Sequence, residues 1–475
     1  MKYESLSSRP LYVDLDGTLI KGDLLWESYF RLLKMDFFAA IKGLWELRKG
    51  ISNFKAFVAK QVTVASHTLP FRQEVIRYIQ QRKEHGARVI LATASPESWA
   101  HSVAIHLNLF DGVLASNEAV NLKGARKLEA IEADSNGDFD YIGDSRADLP
   151  IWGKATEPIS IASRFAQSQP LTQKQITIIG DDSKTSKLAL LLKVIRPHQW
   201  VKNVLIATPL IFAHKINDLV LLEQSAFGFL SFSFCASAVY VLNDALDINE
   251  DRGHRTKKNR PFASGALPLW LSPLLAGLLF FAGLSITSSF LPRAFLVILL
   301  GYVSLTFAYS LYLKQLLLWD VIALAALYTI RIIAGGSATN IFISPWLLSF
   351  SIFMFFGLAL LKRYIEIKSH GDQSSLGGRD YSPGDLQIVQ TFGICASMLS
   401  TVILALYLSS DKTMTLYRNP EFLWPIVMIM FLWNSRIWLL AHRGKVDSDP
   451  VLFAIKDQTS YLLGFLAAMN LFWAI

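Results

Sequence analysis

Three acids and an amide stand at regular intervals near the middle of the chain. In the stretch VYVLNDALDINEDRGHRTKKNRPFASGALP, Asn243, Asp247 and Asp251 are spaced i, i+4 and i+8, so a helix would carry all three on one face with Asp244 close beside them. Carboxylates gathered in this way repel one another unless a cation sits among them. Oxygen ligands suit Mg2+, which keeps several waters and binds substrate phosphates alongside one or two carboxylates. Directly downstream, His254, Arg255, Lys257, Lys258 and Arg260 offer donors for phosphate oxygens, and the Arg260 guanidinium can grip two at once. The residues therefore fit a site that holds a diphosphate through Mg2+ on Asn243, Asp244, Asp247 and Asp251. A capped helix end followed by a topology-fixing basic run is the plainer alternative, and the regular spacing argues against it.

The elements that must position these groups are apolar. The chain has 475 residues, of which 52% are hydrophobic and only 18% charged, too apolar for one soluble globule. The apolarity is uneven: residues up to about 190 alternate polar and apolar stretches, and the rest is a series of long apolar runs. Nine candidate spans are expected near 199–213, 222–242, 269–287, 293–312, 317–336, 345–361, 387–408, 421–441 and 459–475. With the N-terminal region cytoplasmic, thirteen Lys and Arg fall in inside loops and only Lys215, Arg293, Lys412 and Arg418 outside, which sets the orientation by the positive-inside rule and puts Ile475 outside. The formal net charge of +8 is thus a matter of topology and gives no reason to expect nucleic acid. Cys235 lies inside an apolar run, so the two cysteines support neither a disulfide framework nor a zinc site. No secretory signal is expected at the N-terminus.

The string NDALDINED resembles the NDxxDxxxD signature of the UbiA-type intramembrane prenyltransferase superfamily, and its basic segment follows. The resemblance covers about 190–475 and implies an all-α bundle of about nine transmembrane helices in which the aspartates hold a diphosphate through Mg2+. Aromatic prenyltransferases of that superfamily carry a second, DxxxD-type motif after span 6. Here the corresponding segment LKRYIEIKSHGDQSSLGGRDYSPGDL offers Lys362, Arg363, Tyr364, Glu366, Arg379, Asp380 and Tyr381 instead. With RPHQWVKN (Arg196 to Asn203), HRTKKNRP (His254 to Pro261) and YSLYLK (Tyr309 to Lys314), it resembles the decaprenyl-phosphate phosphoribosyltransferase branch. That branch implies phosphoribosyl diphosphate as donor and a polyprenyl phosphate as acceptor. Arg363 and Arg379 are candidates for the 5-phosphate and Lys202, Lys314 or Arg331 for the lipid phosphate, with Lys362 and Tyr309 as further candidate substrate-binding residues. Arg331 lies within an expected span, where an unpaired charge is costly and a functional role is the default. Structural pairing is its alternative, as interfacial anchoring is for Lys202 and Lys314.

The first domain reads differently. RPLYVDLDGTLIKGD is a strand-like run ending at Asp14, followed by Asp16, Gly17 and Thr18, and it resembles motif I of haloacid dehalogenase (HAD) phosphatases. Thr93 at the end of VILATAS, then Lys123 or Lys127, then Asp144 and Asp148 in YIGDSRADLP continue that pattern in order. The resemblance implies Asp14 as nucleophile on phosphorus, Asp16 as general acid and base, Thr93 as a phosphoryl ligand and Lys127, preferred over Lys123, as charge stabiliser. Asp144 and Asp148 would join Asp14 in holding Mg2+. The expected fold is a doubly wound, Rossmann-like α/β domain over residues 1–185 with a small helical cap at about 21–85, followed by the membrane domain over 186–475. An aromatic stripe in the cap is expected to fill the cap core rather than dock on the membrane.

Together these readings give an inner-membrane enzyme that transfers 5-phosphoribose to a polyprenyl phosphate, with a phosphatase domain that removes the 5-phosphate of the product or of a related compound. Its partners are the two substrates, Mg2+ and the bilayer, and self-association is left open. An aromatic-acceptor prenyltransferase and a non-catalytic lipid-binding bundle are the rivals, the first disfavoured by the missing second DxxxD and the second by intact acids in both halves.

Overall fold

Leu11, Tyr12 and Val13 have no solvent exposure, and the neighbouring strand residues Val89, Leu91, Tyr141 and Ile142 have none either, the pattern of a sheet covered on both faces. In the computed structural model, which describes residues 8–117, 120–161, 175–179, 186–370, 379–446 and 449–475, six strands form one sheet. They are β1 (Leu11–Val13), β2 (Val89–Pro96), β3 (Gly112–Ser116), β4 (Asp140–Gly143), β5 (Glu157–Ser160) and β6 (Thr177–Ile178), in the order β3-β2-β1-β4-β5-β6 with every pair parallel. The order reverses at β1, and such a switch point opens a crevice at the carboxyl ends of the strands. Asp14 follows β1 and Asp144 follows β4, so the crevice receives both.

The chain divides into two compact units, residues 1–195 with 240–276 and residues 196–239 with 277–475. In the first unit, α1 (Leu24–Met35), α2 (Phe37–Glu46), α3 (Ile51–Gln61) and α4 (Gln73–Glu84) lie between β1 and β2. Asp23 caps α1 by accepting from the Leu25 and Trp26 N–H groups, and Asp36 ends α1 and caps α2. Val75 and Ile79 of α4 join Leu11, Val13, Val89 and Leu91 in the core. At the end of α4, Arg82 meets Asp140 at 2.6 Å with both side chains fully buried. α5 (Glu97–Leu107), α6 (Ala125–Ser135) and α7 (Leu149–Lys154) follow β2, β3 and β4.

The cap aromatics divide: Tyr29 and Phe54 fill the cap core as expected, with Trp26 and Phe57 packed against it, whereas the rings of α2 do not. Phe37, Phe38, Ile41, Leu44 and Trp45 of α2 are exposed, whereas its inward residues are Ala40 and Gly43. The reason is packing: a Cβ on Gly43 would lie 3.2 Å from the Phe57 ring, so α2 sits too close to α3 for rings to turn inward. Tyr29, Phe54 and Val58 fill that core instead.

Among the described residues, seven helices are long and apolar enough to cross a membrane: Leu219–Leu246, Leu271–Phe290, Arg293–Leu311, Trp319–Thr339, Pro345–Ser369, Pro383–Leu408 and Pro420–His442. The other two expected spans are shorter. Near 199–213 the chain forms Pro197–Ala207 and Thr208–Phe212, each with a proline in its first turn, and the last helix, Gln458–Ala474, has 17 residues. Nine is therefore an approximate count. The Pro197–Ala207 segment lies so close to Trp319–Thr339 that a Cβ on Gly335 would collide with the Ile206 carbonyl. Of the expected linker at 160–190, residues 162–174 and 180–185 lie outside the described residues, and so does the expected join at 185.

Replacing Asp140 by alanine leaves the buried Arg82 with the half-exposed Glu157, 3.7 Å away, as its counter-charge, which is expected to destabilise the first unit by roughly 3 kcal/mol. Urea titration of the full chain followed by proteolysis of that unit measures it, and an unmoved midpoint would show that the pair does not hold α4 to the sheet.

Candidate functional site

At the carboxyl end of β1 the backbone turns sharply through Gly17, whose φ of +78° suits glycine and where a Cβ would run into the Asp144 carboxylate. This turn brings Asp14, Asp144 and Asp148 together: each offers one carboxylate oxygen, all within 4.8 Å of one another. Lys127, at the start of α6, donates to Asp14 Oδ1 at 2.8 Å and to the Tyr141 hydroxyl at 3.1 Å, and Tyr141 donates to Asp148 Oδ1 at 2.7 Å. Ser145 fixes the other Asp148 oxygen through its N–H at 3.0 Å and its hydroxyl at 2.8 Å. Asp16 accepts from the Leu24 N–H at 2.8 Å and from the Ser95 hydroxyl. Thr93 is fully buried within β2 and accepts from the Ser95 N–H at 3.0 Å. A cavity of about 440 Å³ opens over these groups, and Lys21, Lys55, Arg72 and Lys123 line it as well.

Burial pushes the Asp14 carboxyl up to about 7 even though Lys127 pulls it down. Burial also raises Asp16, to about 6, with the Asp23 charge adding to it and the Leu24 and Ser95 hydrogen bonds opposing. For Lys127, burial works against the charged form, but Asp14 and Asp148 outweigh it and the net shift is upward. A lysine kept charged, a carboxylate that ionises near neutrality and a second that can carry a proton are what a nucleophile with its acid–base partner requires. The three clustered acids form a hard-oxygen donor set that fits Mg2+.

The mid-chain motif is arranged less simply than its spacing suggested. The helix Leu219–Leu246 ends just before Asp247, and Ile248–Gly253 follows, yet i to i+4 backbone bonds from Asp247 to Asn243 and from Asp251 to Asp247, both 2.9 Å, carry the helical path through. Arg260 reaches Asp244 at 3.0 Å and Asp251 at 2.5 Å with a single nitrogen. Asp247 instead takes Lys34 of α1, at 2.7 Å, and Lys34 also reaches Glu250 at 2.7 Å. The acids are therefore split between two cations instead of converging on one point. Burial raises the Asp251 carboxyl although Arg260 opposes it. Asn243 Oδ1 is buried and has no hydrogen-bond partner among the described residues. Two carboxylates already close enough to share one cationic nitrogen fit a cation at that position. Lys257 and Lys258 lie in the turn Lys257–Asn259 that leads to Arg260.

The remaining cations lie in the second unit. Arg363 is fully buried and bonds Asp320, Glu366 and, at 3.2 Å, the Tyr309 hydroxyl, while Arg379 also pairs with Glu366. Tyr381 donates to Asp320 at 2.7 Å. Lys202 pairs with Asp449 at 2.6 Å, and Lys362 lies within electrostatic range of Glu366, Arg363, Lys202 and Asp449. Arg331 is buried among neutral groups: it donates to Asn203 at 2.9 Å, to the Tyr302 hydroxyl at 3.2 Å and to the Leu327 carbonyl. Lys314 stands in the turn Leu313–Gln315 and is half-buried.

Sequence reasoning missed Lys34, Asp320 and Asp449. Asp320 had a usable signal, a lone acid in the apolar run LLLWDVIAL, where a charge demands a partner. Lys34 had none, because its partner Asp247 is 213 residues away.

Residues 204–467 match the UbiA prenyltransferase family and residues 11–152 the haloacid dehalogenase-like hydrolases. An uncharacterized protein, y4nM, of Sinorhizobium fredii is 35% identical over 97% of this chain and 90% of its own length. The nodulation protein NoeC of Azorhizobium caulinodans is 32% identical over 56% of this chain and 86% of its own. Decaprenyl-phosphate phosphoribosyltransferase of Mycolicibacterium smegmatis is 31% identical over 58% of this chain and 89% of its own.

Since Asp14 must be ionised to bind a metal, Mg2+ affinity of the first-unit site should be full above about pH 7 and fall as pH drops through that value. Calorimetric Mg2+ titrations at pH 6 and pH 8, with Asp14→Asn as the blank, test this; equal affinities at both pH values would contradict the assignment.

Proposed function

We propose that this chain, which belongs to the UbiA prenyltransferase family and carries a haloacid dehalogenase-like domain ahead of it, transfers 5-phosphoribose from phosphoribosyl diphosphate to a polyprenyl phosphate. The observation that carries the reading is Arg363 with Arg379 on Glu366: two guanidiniums on one carboxylate stand in the region where a second aspartate pair would be expected for an aromatic acceptor. A donor with a diphosphate at one ribose carbon and a phosphate at another gives two separate anion sites each a use. The likeness to the mycobacterial phosphoribosyltransferase supports the same choice.

In this reading the acceptor phosphate oxygen bonds to the anomeric carbon as the bond to diphosphate breaks, and the diphosphate leaves with the electron pair. Mg2+ bound at the motif would supply charge to the departing diphosphate. Asn243, Asp244 and Asp251 would hold it, with Asp247 joining them on leaving Lys34, and Arg260, Lys257 and Lys258 take phosphate oxygens. Arg363, Arg379 and Lys362, with Tyr309, take the 5-phosphate, and Lys202, Lys314 and Arg331 orient the lipid phosphate. Arg331 suits that task because its named partners are all uncharged. The acceptor is already an anion, so positioning and charge stabilisation do most of the work.

The haloacid dehalogenase-like domain, assigned residues 1–185, removes the 5-phosphate from the product or a related phosphate. Asp14 attacks phosphorus as the ester bond breaks, Asp16 protonates the departing oxygen and later takes a proton from the hydrolytic water, and Thr93 and Lys127 stabilise the phosphoryl oxygens. The first unit faces the cytoplasm in this reading, which the distribution of Lys and Arg favours.

Membranes holding the protein, Mg2+, labelled phosphoribosyl diphosphate and decaprenyl phosphate provide the test. Wild type should yield lipid-linked ribose, Asp14→Asn its 5-phosphate and Asp247→Ala neither. Arg331→Met should lower kcat/KM about 10- to 100-fold, the worth of a charge-assisted hydrogen bond. No label in the lipid phase under any condition would sink the phosphoribosyl reading and favour aromatic prenyl transfer.

A further inference from the structure

Among the described residues nothing covers the outward face of α2, whose side chains are exposed. Phe37, Phe38, Ile41, Leu44 and Trp45 fall at i, i+1, i+4, i+7 and i+8, one helical face, with Met35 just ahead of it. Phe38 is 80% exposed and Trp45 60%. A contiguous apolar surface of this kind marks something that covers it. Its rim is basic: Lys42, Arg48 and Lys49 are exposed, and the Arg48 guanidinium lies 3.6 Å from the centre of the Trp45 ring. Rings on one face with lysine and arginine at the edge are the make-up of helices that lie in the headgroup boundary of a bilayer.

Two further observations name the occupant. The first is where α2 starts. Lys34 in the last turn of α1 bonds Asp247, the residue directly after an apolar helix of 28 residues long enough to cross a membrane. Arg252 grips both oxygens of Glu27 on α1 at 2.8 and 2.7 Å. Phe38 is four residues beyond Lys34, no more than about 15 Å of chain, so α2 begins at the level where the membrane helix ends. The second is the cavity over Asp14, which is lined by Gly265, Pro268 and Trp270, and Trp270 directly precedes the membrane helix Leu271–Phe290.

We propose that α2 is a membrane-docking helix whose apolar face lies in the headgroup boundary of the bilayer that the chain spans, holding the Asp14 crevice at the lipid surface so that it works on a lipid-linked phosphate. The substrate half rests on the phosphatase reading above; the docking half does not.

The test uses the full chain in nanodiscs of anionic phospholipid, with Cys235 and Cys395 replaced by alanine and nitroxide labels on Phe38→Cys, Trp45→Cys or Ile105→Cys. Ile105 is exposed on α5, outside the patch. Docking predicts that labels at 38 and 45 are relaxed by oxygen and shielded from a water-soluble nickel chelate several-fold more than the label at 105. Equal accessibility at all three overturns it, as does label–label broadening at 38 or 45, which would mean a second copy covers the face. A Phe38→Asp, Trp45→Asp variant should hydrolyse p-nitrophenyl phosphate within twofold of wild type and decaprenyl-phosphoryl-5-phosphoribose at least tenfold more slowly. Equal rates on the lipid overturn the substrate half. If wild type cleaves neither compound, the phosphatase reading fails, and the labels still decide the docking.

Discussion

Arg260 holds Asp244 and Asp251 with one nitrogen, and Lys34 holds Asp247 and Glu250. Carboxylates crowded at the end of an apolar helix need cations close by, since each unpaired charge there is costly. Much else in the first unit follows from how that requirement is met. One cation comes from the segment after the motif, which must fold back so that Arg260 reaches it, and this carries Phe262, Ala263 and Leu267 into buried positions. The other comes from α1, more than two hundred residues earlier, and the nearly buried pair of Arg252 and Glu27 fixes the same contact.

The same requirement is met differently over Asp14. There Asp14 and Asp148, clustered with Asp144, share one charged lysine, and burial has lifted the Asp14 carboxyl to about 7. A cluster left short of positive charge is prepared for a metal ion, whose charge would bring Asp14 into its ionised form. In the second unit Arg363 and Glu366 balance each other with Asp320 and Arg379, whereas Arg331 is surrounded by neutral donors and acceptors. Those two environments suit different tasks. In the first, two guanidiniums share Glu366 and an incoming anion would compete with that carboxylate, while a cation among dipoles keeps its charge available.

What could be read in advance was what depends on neighbours in the chain. Parallel strands that end in acids, the order of Asp14, Thr93, Lys127 and Asp144, the i, i+4, i+8 spacing of Asn243, Asp247 and Asp251 and the long apolar runs are local patterns, and periodicity with side-chain chemistry carries them. Seven of the nine expected spans became helices of sufficient length. The two that did not have short apolar stretches or prolines, so hydropathy alone overstated them.

Tertiary structure decided the pairings and the facing of surfaces. Whether Asp247 meets a metal, Arg260 or Lys34 depends on where α1 folds, and nothing near either residue encodes it. Asp320 became the partner of Arg363 only once two helices met side by side. The rings of α2 have the periodicity of a core helix, yet they face outward because Gly43 and Ala40 form the face that fits against α3. Sequence determined which groups were present and at what local spacing, because chemistry and helical period are properties of short segments. The three-dimensional fold determined which charges neutralise one another and which apolar face is left open, because those depend on distances between segments that the order of residues does not specify.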